Sequence, residues 1–456
     1  MNGLESEIVV LSSSERSEMG KTLRERAPRA AHAAWKPASN RRDPIAVLEE
    51  SSLGRVPELI PIRYGRMLAS PFAFLRGSAA VMAGDLAATP VSGIIVQACG
   101  DCHLSNFGLF ATPERNLVFD LNDFDETLPA PWEWDIKRLA ASFVVVGREN
   151  NISDSRCKAI VHVLADAYRT HLREFAAMRV LDAWYARIDD EMLIATAPDA
   201  AARQRREKIA AKARASVTEY LFPKISQLVD GRRTIVDQPP LVYHPPRRSD
   251  EDERIIKLMG AYHDSLAQDR LKLFERYRFQ DYAFKAVGVG SVGTHCYVLL
   301  YLADENDPLL LQVKEARPSV LEPYAGKGQF DHHGQRIVIG QRLVQAASDI
   351  FLGWTTGKDG MHFYIRQLRD MKFSLRLDDI EAKGLANYAA ICGWALARAH
   401  AKGGDAAMIS GYLGQSDAFD QALAKFALAY ADQTERDHAA LVKAVKAGRV
   451  QAITDK

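Results

Sequence analysis

Three groups of residues in this chain have types and spacings that could do chemistry on phosphate. The first is Cys99-Gly100-Asp101-Cys102-His103-Leu104-Ser105-Asn106, which packs a carboxylate, an imidazole and a carboxamide into one short segment. The second is Asp120-Leu121-Asn122-Asp123-Phe124-Asp125-Glu126, where three aspartates follow the apolar run Leu117-Val118-Phe119. Carboxylates beside an apolar strand can orient a hydroxyl group or hold a hard cation such as Mg²⁺ through oxygen. The third is Gly288-Val289-Gly290-Ser291-Val292-Gly293, a GxGxxG turn whose backbone N–H groups could lie over phosphate oxygens. Lys314 follows it, at the end of Leu309-Leu310-Leu311-Gln312-Val313.

A GxGxxG turn is ambiguous until its flanks are read. A dinucleotide-binding turn requires a helix directly after the glycines. Here Thr294 to Tyr301 is β-branched and aromatic, which predicts a strand. A Gly-rich turn between two strands, followed by a lysine on the third, resembles the kinase arrangement. Cys99 to Asn106 resembles the H-G-D-x-H-x-x-N loop of aminoglycoside phosphotransferases and choline-kinase-like enzymes. That resemblance implies Asp101 as the base or orienter of the attacking hydroxyl and Asn106 as a metal ligand. It also implies a later metal-binding aspartate followed by an aromatic residue. Asp123, followed by Phe124, fits best, with Asp125 or Asp120 in support. Gly288, Gly290, Ser291, Gly293 and Lys314 would hold the nucleotide phosphates. Trp134-Asp135-Ile136 resembles that family's structural Y-D-L. ATP and Mg²⁺ are the implied cofactors.

Cys99-Gly100-Asp101-Cys102-His103 also matches CxxCH, the c-type haem attachment signature. Haem attachment goes with export, and the N-terminus shows no signal peptide. Zinc would need a second ligand pair, whereas Cys157, Cys296 and Cys392 are isolated. His103 is therefore read as a residue of the Asp101 loop that orders it or assists its chemistry. Five cysteines, an odd and scattered number, fit a reducing compartment rather than a disulfide framework.

At larger scale, Arg66-Met67, Ser70 to Gly77, Cys99-Gly100-Asp101 with Asn106-Phe107-Gly108, Asn122 to Thr127, and Trp132 to Asp135 with Lys137-Arg138-Leu139 resemble the bacterial family called domain of unknown function 2252. Gly340-Gln341-Arg342, Ala399-His400, Gly404-Asp405 and Gly411 to Gly414 extend that resemblance over residues 45–448. The kinase-like motifs stand in an unusual order, with the Asp101 loop ahead of the glycines. A circular permutation would reconcile them. Kinases also pair the strand lysine with a glutamate on the next helix. The helix expected over 333–347 offers Gln335, Gln341 and Gln345, and Glu322 lies ahead of it as the substitute.

The elements that must position these groups follow from pattern. Residues 1–44 read as a poorly ordered leader. Residues 45–280 read as a large helical lobe containing two strands and the Asp101 and Asp123 motifs. Residues 281–377 read as a small β-rich lobe with the Gly-rich loop and Lys314, and 378–456 as helices returning to the large lobe. The fold class is α+β: two lobes, kinase-like and circularly permuted, with a small antiparallel sheet. Ser70-Pro71 should start a helix running from Phe72 to Leu86, residues 230–250 a loop with a short hairpin, and 251–277 one helix. Arg66 and Arg76 could bind phosphate or the substrate's acidic group, or form ion pairs with Asp85, Asp123 or Asp125. Trp132 and Trp134 are expected in the core, and His400 with Asp405 in structural roles at a helix end.

The chain has 456 residues, 47% apolar and 26% charged, with a formal charge of +1. This balance gives no field for nucleic acid, and the basic runs at Arg203 to Lys212 and Arg247-Arg248 read as solvated. No apolar stretch is long enough to span a membrane, so a cytoplasmic protein is expected. The expected activity is phosphoryl transfer to an unidentified small-molecule or protein hydroxyl. A non-catalytic nucleotide-binding protein and a metal-dependent phosphoesterase built on Asp120, Asp123, Asp125 and His103 are the alternatives. Oligomeric state is left open.

Overall fold

The computed structural model describes residues 10–216, 218–245, 251–286, 288–368, 371, 373 and 375–453. Helix α1 (Ser13–Arg26) lies within the stretch expected to be a disordered leader. Its capping box is reciprocal: the Glu15 N–H donates to Ser12 Oγ at 3.2 Å and the Ser12 N–H to Glu15 Oε2 at 2.7 Å. The polar composition that suggested disorder is its solvent side. The other side meets a helix near the C-terminus, where Gly20 brings the two backbones together. Residues 1–9 lie outside the described residues.

The helical body begins with short helices. Ser70 accepts from the Ala73 N–H at 3.2 Å and caps α2 (Pro71–Gly77). The helix expected to continue to Leu86 instead breaks at Ser78, whose backbone (φ −114°, ψ 32°) leaves the helical region, and restarts as Ala79–Ala87. Four strands follow: β1 (Ile95–Ala98), β2 (Phe107–Ala111), β3 (Leu117–Leu121) and β4 (Leu128–Pro131). They pair antiparallel as β1 with β4 and β2 with β3. The Pro129–Pro131 stretch, whose prolines suggest a turn, is thus part of a strand, with prolines on a two-stranded edge where a missing N–H costs little.

At the centre stands α3 (Trp132–Glu149), buried from Trp132 through Gly147. It packs against α4 (Asp154–Ala177) and the C-terminal helices Ala382–Gly403 and Ala418–Lys446. Trp132 stacks on Tyr168 with centroids 5.7 Å apart, as its expected core position requires. The buried charges of α3 all have partners: Glu133 accepts from the Ser92 N–H at 2.6 Å, and Lys137 donates to Thr89 Oγ1 at 2.8 Å.

The second unit is a six-stranded antiparallel sheet, preceded by a hairpin of β5 (Ser226–Val229) and β6 (Arg232–Ile235). Its strands are β7 (Val242–Tyr243), β8 (Arg278–Lys285), β9 (Cys296–Asp304), β10 (Asp307–Glu315), β11 (Gly353–Thr356) and β12 (His362–Gln367), in spatial order β11-β12-β10-β9-β8-β7. The sheet therefore recruits residues ahead of 281, the boundary expected for it. Helix α5 (Glu251–Ser265) ends before a separate short helix at Gln268–Phe274, so 251–277 is not one helix. Helix α6 (His333–Val344) lies between β10 and β11 in sequence and packs on β11 and β12. Helices α7 (Ala382–Gly403), α8 (Ala406–Leu413) and α9 (Ala418–Lys446) rejoin the helical body. Val287, expected at a strand end, and the Arg247-Arg248 pair lie outside the described residues, while Arg203 and Lys208 are exposed as expected. Among the described residues, no helix is long and apolar enough to cross a membrane.

The crossing of α1 with α8 yields a test. A Cβ at Gly411 would lie 1.9 Å from the Ser17 carbonyl oxygen, and one at Gly20 would lie 2.0 Å from that of Met408. Gly411→Ala should force the helices apart and lower stability by roughly 1–3 kcal/mol. A urea midpoint equal to the wild type's would show that α1 is not docked there.

Candidate functional site

The three sequence groups meet in one cleft. A space of about 210 Å³ is lined by Arg76, Asp101, His103, Asn106, Asp123 and Asp125 from the helical body, and by Gly288, Gly290 and Ser291 from the turn between β8 and β9. A wider space of about 890 Å³ adjoins it under the sheet, with Lys314, Gln312 and Gln341 in its wall. Asn122, Asp123, Gly288, Ser291 and Arg366 line both.

Lys314 is the hinge of this arrangement. On β10 it stands opposite Cys296 of β9 and Tyr364 of β12. Its side chain is 3% exposed and its ammonium bonds Asp125 Oδ2, with Asp123 Oδ2 at 3.7 Å. Asp125 also accepts from Tyr364 Oη at 2.8 Å and from Ser291 Oγ at 3.1 Å. Burial alone would depress the lysine pKa, but the Asp123 and Asp125 carboxylates more than offset it and hold it well above the ordinary value. Glu322, expected as the lysine's partner, instead accepts from the Ser319 N–H at 3.2 Å. On α6, Arg336 donates to the Asp125 carbonyl at 2.8 Å, so that helix holds the aspartate loop through a cation and backbone oxygens.

The Gly-rich turn is tied to the helical body. Arg66 Nη1 donates to the Gly288 carbonyl at 2.5 Å and Arg55 Nη1 to the Val292 carbonyl at 2.6 Å. Gly288 and Gly293 have φ of 66° and 87°, the left-handed region where a side chain is strained. Arg66 therefore serves the turn, and Asp85, proposed as an arginine partner, pairs with Arg41 at 2.7 Å.

The Asp101 loop is held from α3. Asp135 accepts from the Cys99 N–H at 2.7 Å and the Gly100 N–H at 3.0 Å, and His400 Nε2 lies 3.3 Å from it. Asp135 and His400 thus have the structural roles expected of them, while Asp405 caps α8 by accepting from the Met408 N–H at 3.0 Å. Arg138 Nε donates to Asp101 Oδ1 at 2.6 Å and fixes that carboxylate. His103 Nε2 is 3.8 Å from Asp101 Oδ2. Burial pushes the His103 pKa down to about 4 against the pull of Asp101, so the ring is neutral at pH 7. Asn106 latches two loops: its Oδ1 accepts from the Asp123 N–H at 2.8 Å and its Nδ2 donates to the Asp123 carbonyl at 3.0 Å. The cysteines of the CxxCH match are buried thiols, and Cys99 Sγ donates to the Asp123 carbonyl at 3.4 Å.

Asp120 does not join the cleft. It is fully buried and accepts from Arg398 Nη2 at 2.8 Å to both oxygens, and from the Ala346 and Leu121 N–H groups at 2.8 and 2.9 Å. Position along the chain explains this: Asp120 lies within β3, whose residues are all buried, whereas Asp123 and Asp125 lie in the loop beyond the strand's end.

Some cleft residues escaped the sequence reading. Tyr364 and Arg366 alternate on β12, a pattern that marks one face of a strand, but nothing in the sequence tells which face meets the cleft. Arg366 Nε donates to Gln312 Oε1 at 2.9 Å. Glu126 lines the cleft and accepts from the Val320 N–H at 2.7 Å through Oε2.

A family model described as "Uncharacterized protein conserved in bacteria (DUF2252)" matches residues 55–444. The chain belongs to this family. No curated protein and no solved structure matches it. In this DUF2252 chain, the matched span contains the Asp101 loop, the aspartate loop, the Gly-rich turn and Lys314, but not α1.

Glu126 supplies a pH test. Burial pushes its pKa up to about 7 from an ordinary 4.5, only partly countered by the Val320 N–H and Arg336. Between those values the folded state keeps a proton that the unfolded chain has lost, so stability falls as pH rises from 4.5 to 7 and levels off above. Glu126→Gln should remove this contribution and gain about 1–3 kcal/mol over wild type at pH 8, with little gain at pH 4.5. The check is chemical denaturation of both proteins at the two pH values.

Proposed function

We propose that this chain is an ATP- and Mg²⁺-dependent phosphotransferase with a circularly permuted kinase-like fold. One observation carries the reading: Lys314 bonds Asp125, 189 residues away in sequence, directly beside the Gly-rich turn and the Asp101 loop. The order of parts in the sheet supports it. A Gly-rich turn joins two antiparallel strands, the lysine lies on the next strand, and a helix and two further strands follow, as in a kinase small lobe.

The donor chemistry fits Mg²⁺. Among the described residues, no group of three or more His, Cys, Asp or Glu side chains is placed to hold a metal by itself. Mg²⁺ brought by a nucleotide requires only one or two protein carboxylates beside the phosphates. Asp123, whose side chain is 44% exposed against 24% for Asp125, is the carboxylate that would hold it. Asn106 Oδ1 has a second lone pair beyond the one given to the Asp123 N–H. Bound there, the ion would neutralise charge on the phosphates.

In this reading the N–H groups of Gly290, Ser291 and their neighbours and the Lys314 ammonium hold the nucleotide phosphates. Asp101, fixed by Arg138, orients an acceptor hydroxyl. His103 keeps the loop dry and ordered. Catalysis would come from positioning and charge neutralisation. A second reading, nucleotide binding without turnover, draws on Lys314, whose partner is an aspartate of the metal loop rather than a helix glutamate. The phosphoesterase alternative loses a carboxylate, since Asp120 is committed to Arg398.

Calorimetric titration of MgATP into wild type, Lys314→Ala and Asp123→Asn tests the proposal. Binding should require Mg²⁺ and weaken on the order of ten-fold or more in each variant. A wild type that is folded by circular dichroism yet binds no MgATP would sink it. Binding without phosphate release or transfer would favour the non-catalytic reading.

A further inference from the structure

Arg76 is a cation in the cleft that has no partner among the described residues. Its Nε is buried without a hydrogen-bond partner, and among the described residues its guanidinium makes no hydrogen bond or ion pair. The arginines around it are committed. Arg138 holds Asp101 at 2.6 Å and the Leu75 carbonyl at 2.9 Å. Arg55 holds the Ser51 and Val292 carbonyls at 2.9 and 2.6 Å. Arg317 holds the Leu53 carbonyl. Arg66 holds the Gly288 carbonyl at 2.5 Å. Burial draws the Arg76 pKa below the ordinary arginine value, and attraction from Asp101 and Asp123 does not make up the difference. A buried donor without an acceptor is destabilising, and a guanidinium matches a planar or tetrahedral oxyanion through two parallel N–H bonds.

The position of Arg76 says which molecule would bring that anion. Arg76 and Ser105 line both the 210 Å³ cleft that contains Asp101 and a separate groove of about 470 Å³ bordered by Ser70, Phe72 and Ala73, with Glu149, Asp378 and Asp379 also in its wall, so that Arg76 is the one cation lining the groove among the described residues. That groove contains neither Lys314 nor any residue of the Gly-rich turn. A nucleotide lying under the turn would reach Asp101 from the sheet side. A molecule seated in the groove would reach it past Arg76.

We propose that Arg76 receives an anionic group, a carboxylate or phosphate, carried by the acceptor that presents its hydroxyl to Asp101. The word acceptor rests on the phosphotransferase reading; the anion site itself does not. Arg76 in this role determines specificity, since a site built for an oxyanion discriminates against analogues that lack it.

Inorganic phosphate is the probe. It would be titrated by calorimetry into the full chain, alone and in excess MgADP, for wild type, Arg76→Ala, Arg76→Lys and Lys314→Ala. Wild type should bind phosphate in both conditions. Arg76→Ala should weaken it about ten-fold or more, and Arg76→Lys less, because an ammonium keeps the charge but not the fork. Lys314→Ala should lose only phosphate held under the Gly-rich turn, and Arg76→Ala should keep its wild-type affinity for MgATP. Arg76→Ala should also melt no lower than wild type, since it removes a half-buried guanidinium whose Nε has no acceptor; should it fail to fold, the lysine variant carries the comparison. Equal phosphate affinity in wild type and Arg76→Ala, or no phosphate binding by wild type, would overturn the proposal. So would a loss of MgATP affinity in Arg76→Ala as large as its loss of phosphate affinity, which would give Arg76 to the nucleotide. If wild type binds phosphate through Arg76 but never binds MgATP, the anion site stands and the phosphotransferase reading fails.

Discussion

A buried ammonium must be neutralised, and the carboxylates that neutralise Lys314 come from the other half of the chain. Desolvating a charge without a partner costs several kcal/mol, so the sheet carrying Lys314 and the loop carrying Asp125 have reason to stay together. Tyr364 and Ser291 complete the same carboxylate from two further elements, β12 and the Gly-rich turn. Four segments distant in sequence are thereby joined at one oxygen pair. The arrangement selects a geometry more than it adds stability, since a buried ion pair offsets its own desolvation at best.

Helix α3 performs the corresponding task for the Asp101 loop. Its apolar residues place it in the middle of the helical body, and its charged residues are spent on neighbouring loops rather than on solvent. Asp135 takes two loop N–H groups, and Arg138 takes Asp101. Buried polar networks of this kind are favourable only when nearly every member is satisfied, which makes the loop conformation specific. The site is therefore rigid on its helical side and bridged by ion pairs and arginine–carbonyl bonds on its sheet side. Among the described residues, Arg76 is the one arginine lining the cleft whose guanidinium makes no hydrogen bond or ion pair.

Much of this was legible in the residues. The Gly-rich turn between two strands, Lys314 at a strand end, the Asp101 loop and the core tryptophans could be read because each is a local pattern. Turn glycines, alternation and strand propensity act over a few residues. The errors have one cause, which is that local composition says nothing about what lies opposite. The leader reads as disordered because α1 has little apolar surface, yet Gly20 sits against the Met408 backbone and Gly411 against that of Ser17, which allows backbone contact. Asp120 reads like Asp123 and Asp125 because one-dimensional spacing cannot say which carboxylate points into the core toward Arg398. Glu322 was the glutamate nearest the expected helix, whereas the carboxylate that bonds Lys314 belongs to Asp125.

The sequence by itself determined the residue types for phosphate chemistry, the strand–turn–strand around the glycines, the antiparallel sheet with a helical remainder, and the membership shown by motifs spread over both halves. Only the tertiary structure decided that the two sets of motifs share a cleft, that Lys314 pairs with Asp125, that Asp120 is structural and that Arg76 is unpaired. The reason is physical. Secondary structure and turns answer to interactions between near neighbours along the chain, whereas the pairing of buried charges depends on which segments the packing of α3, α7 and the sheet brings within a few ångströms.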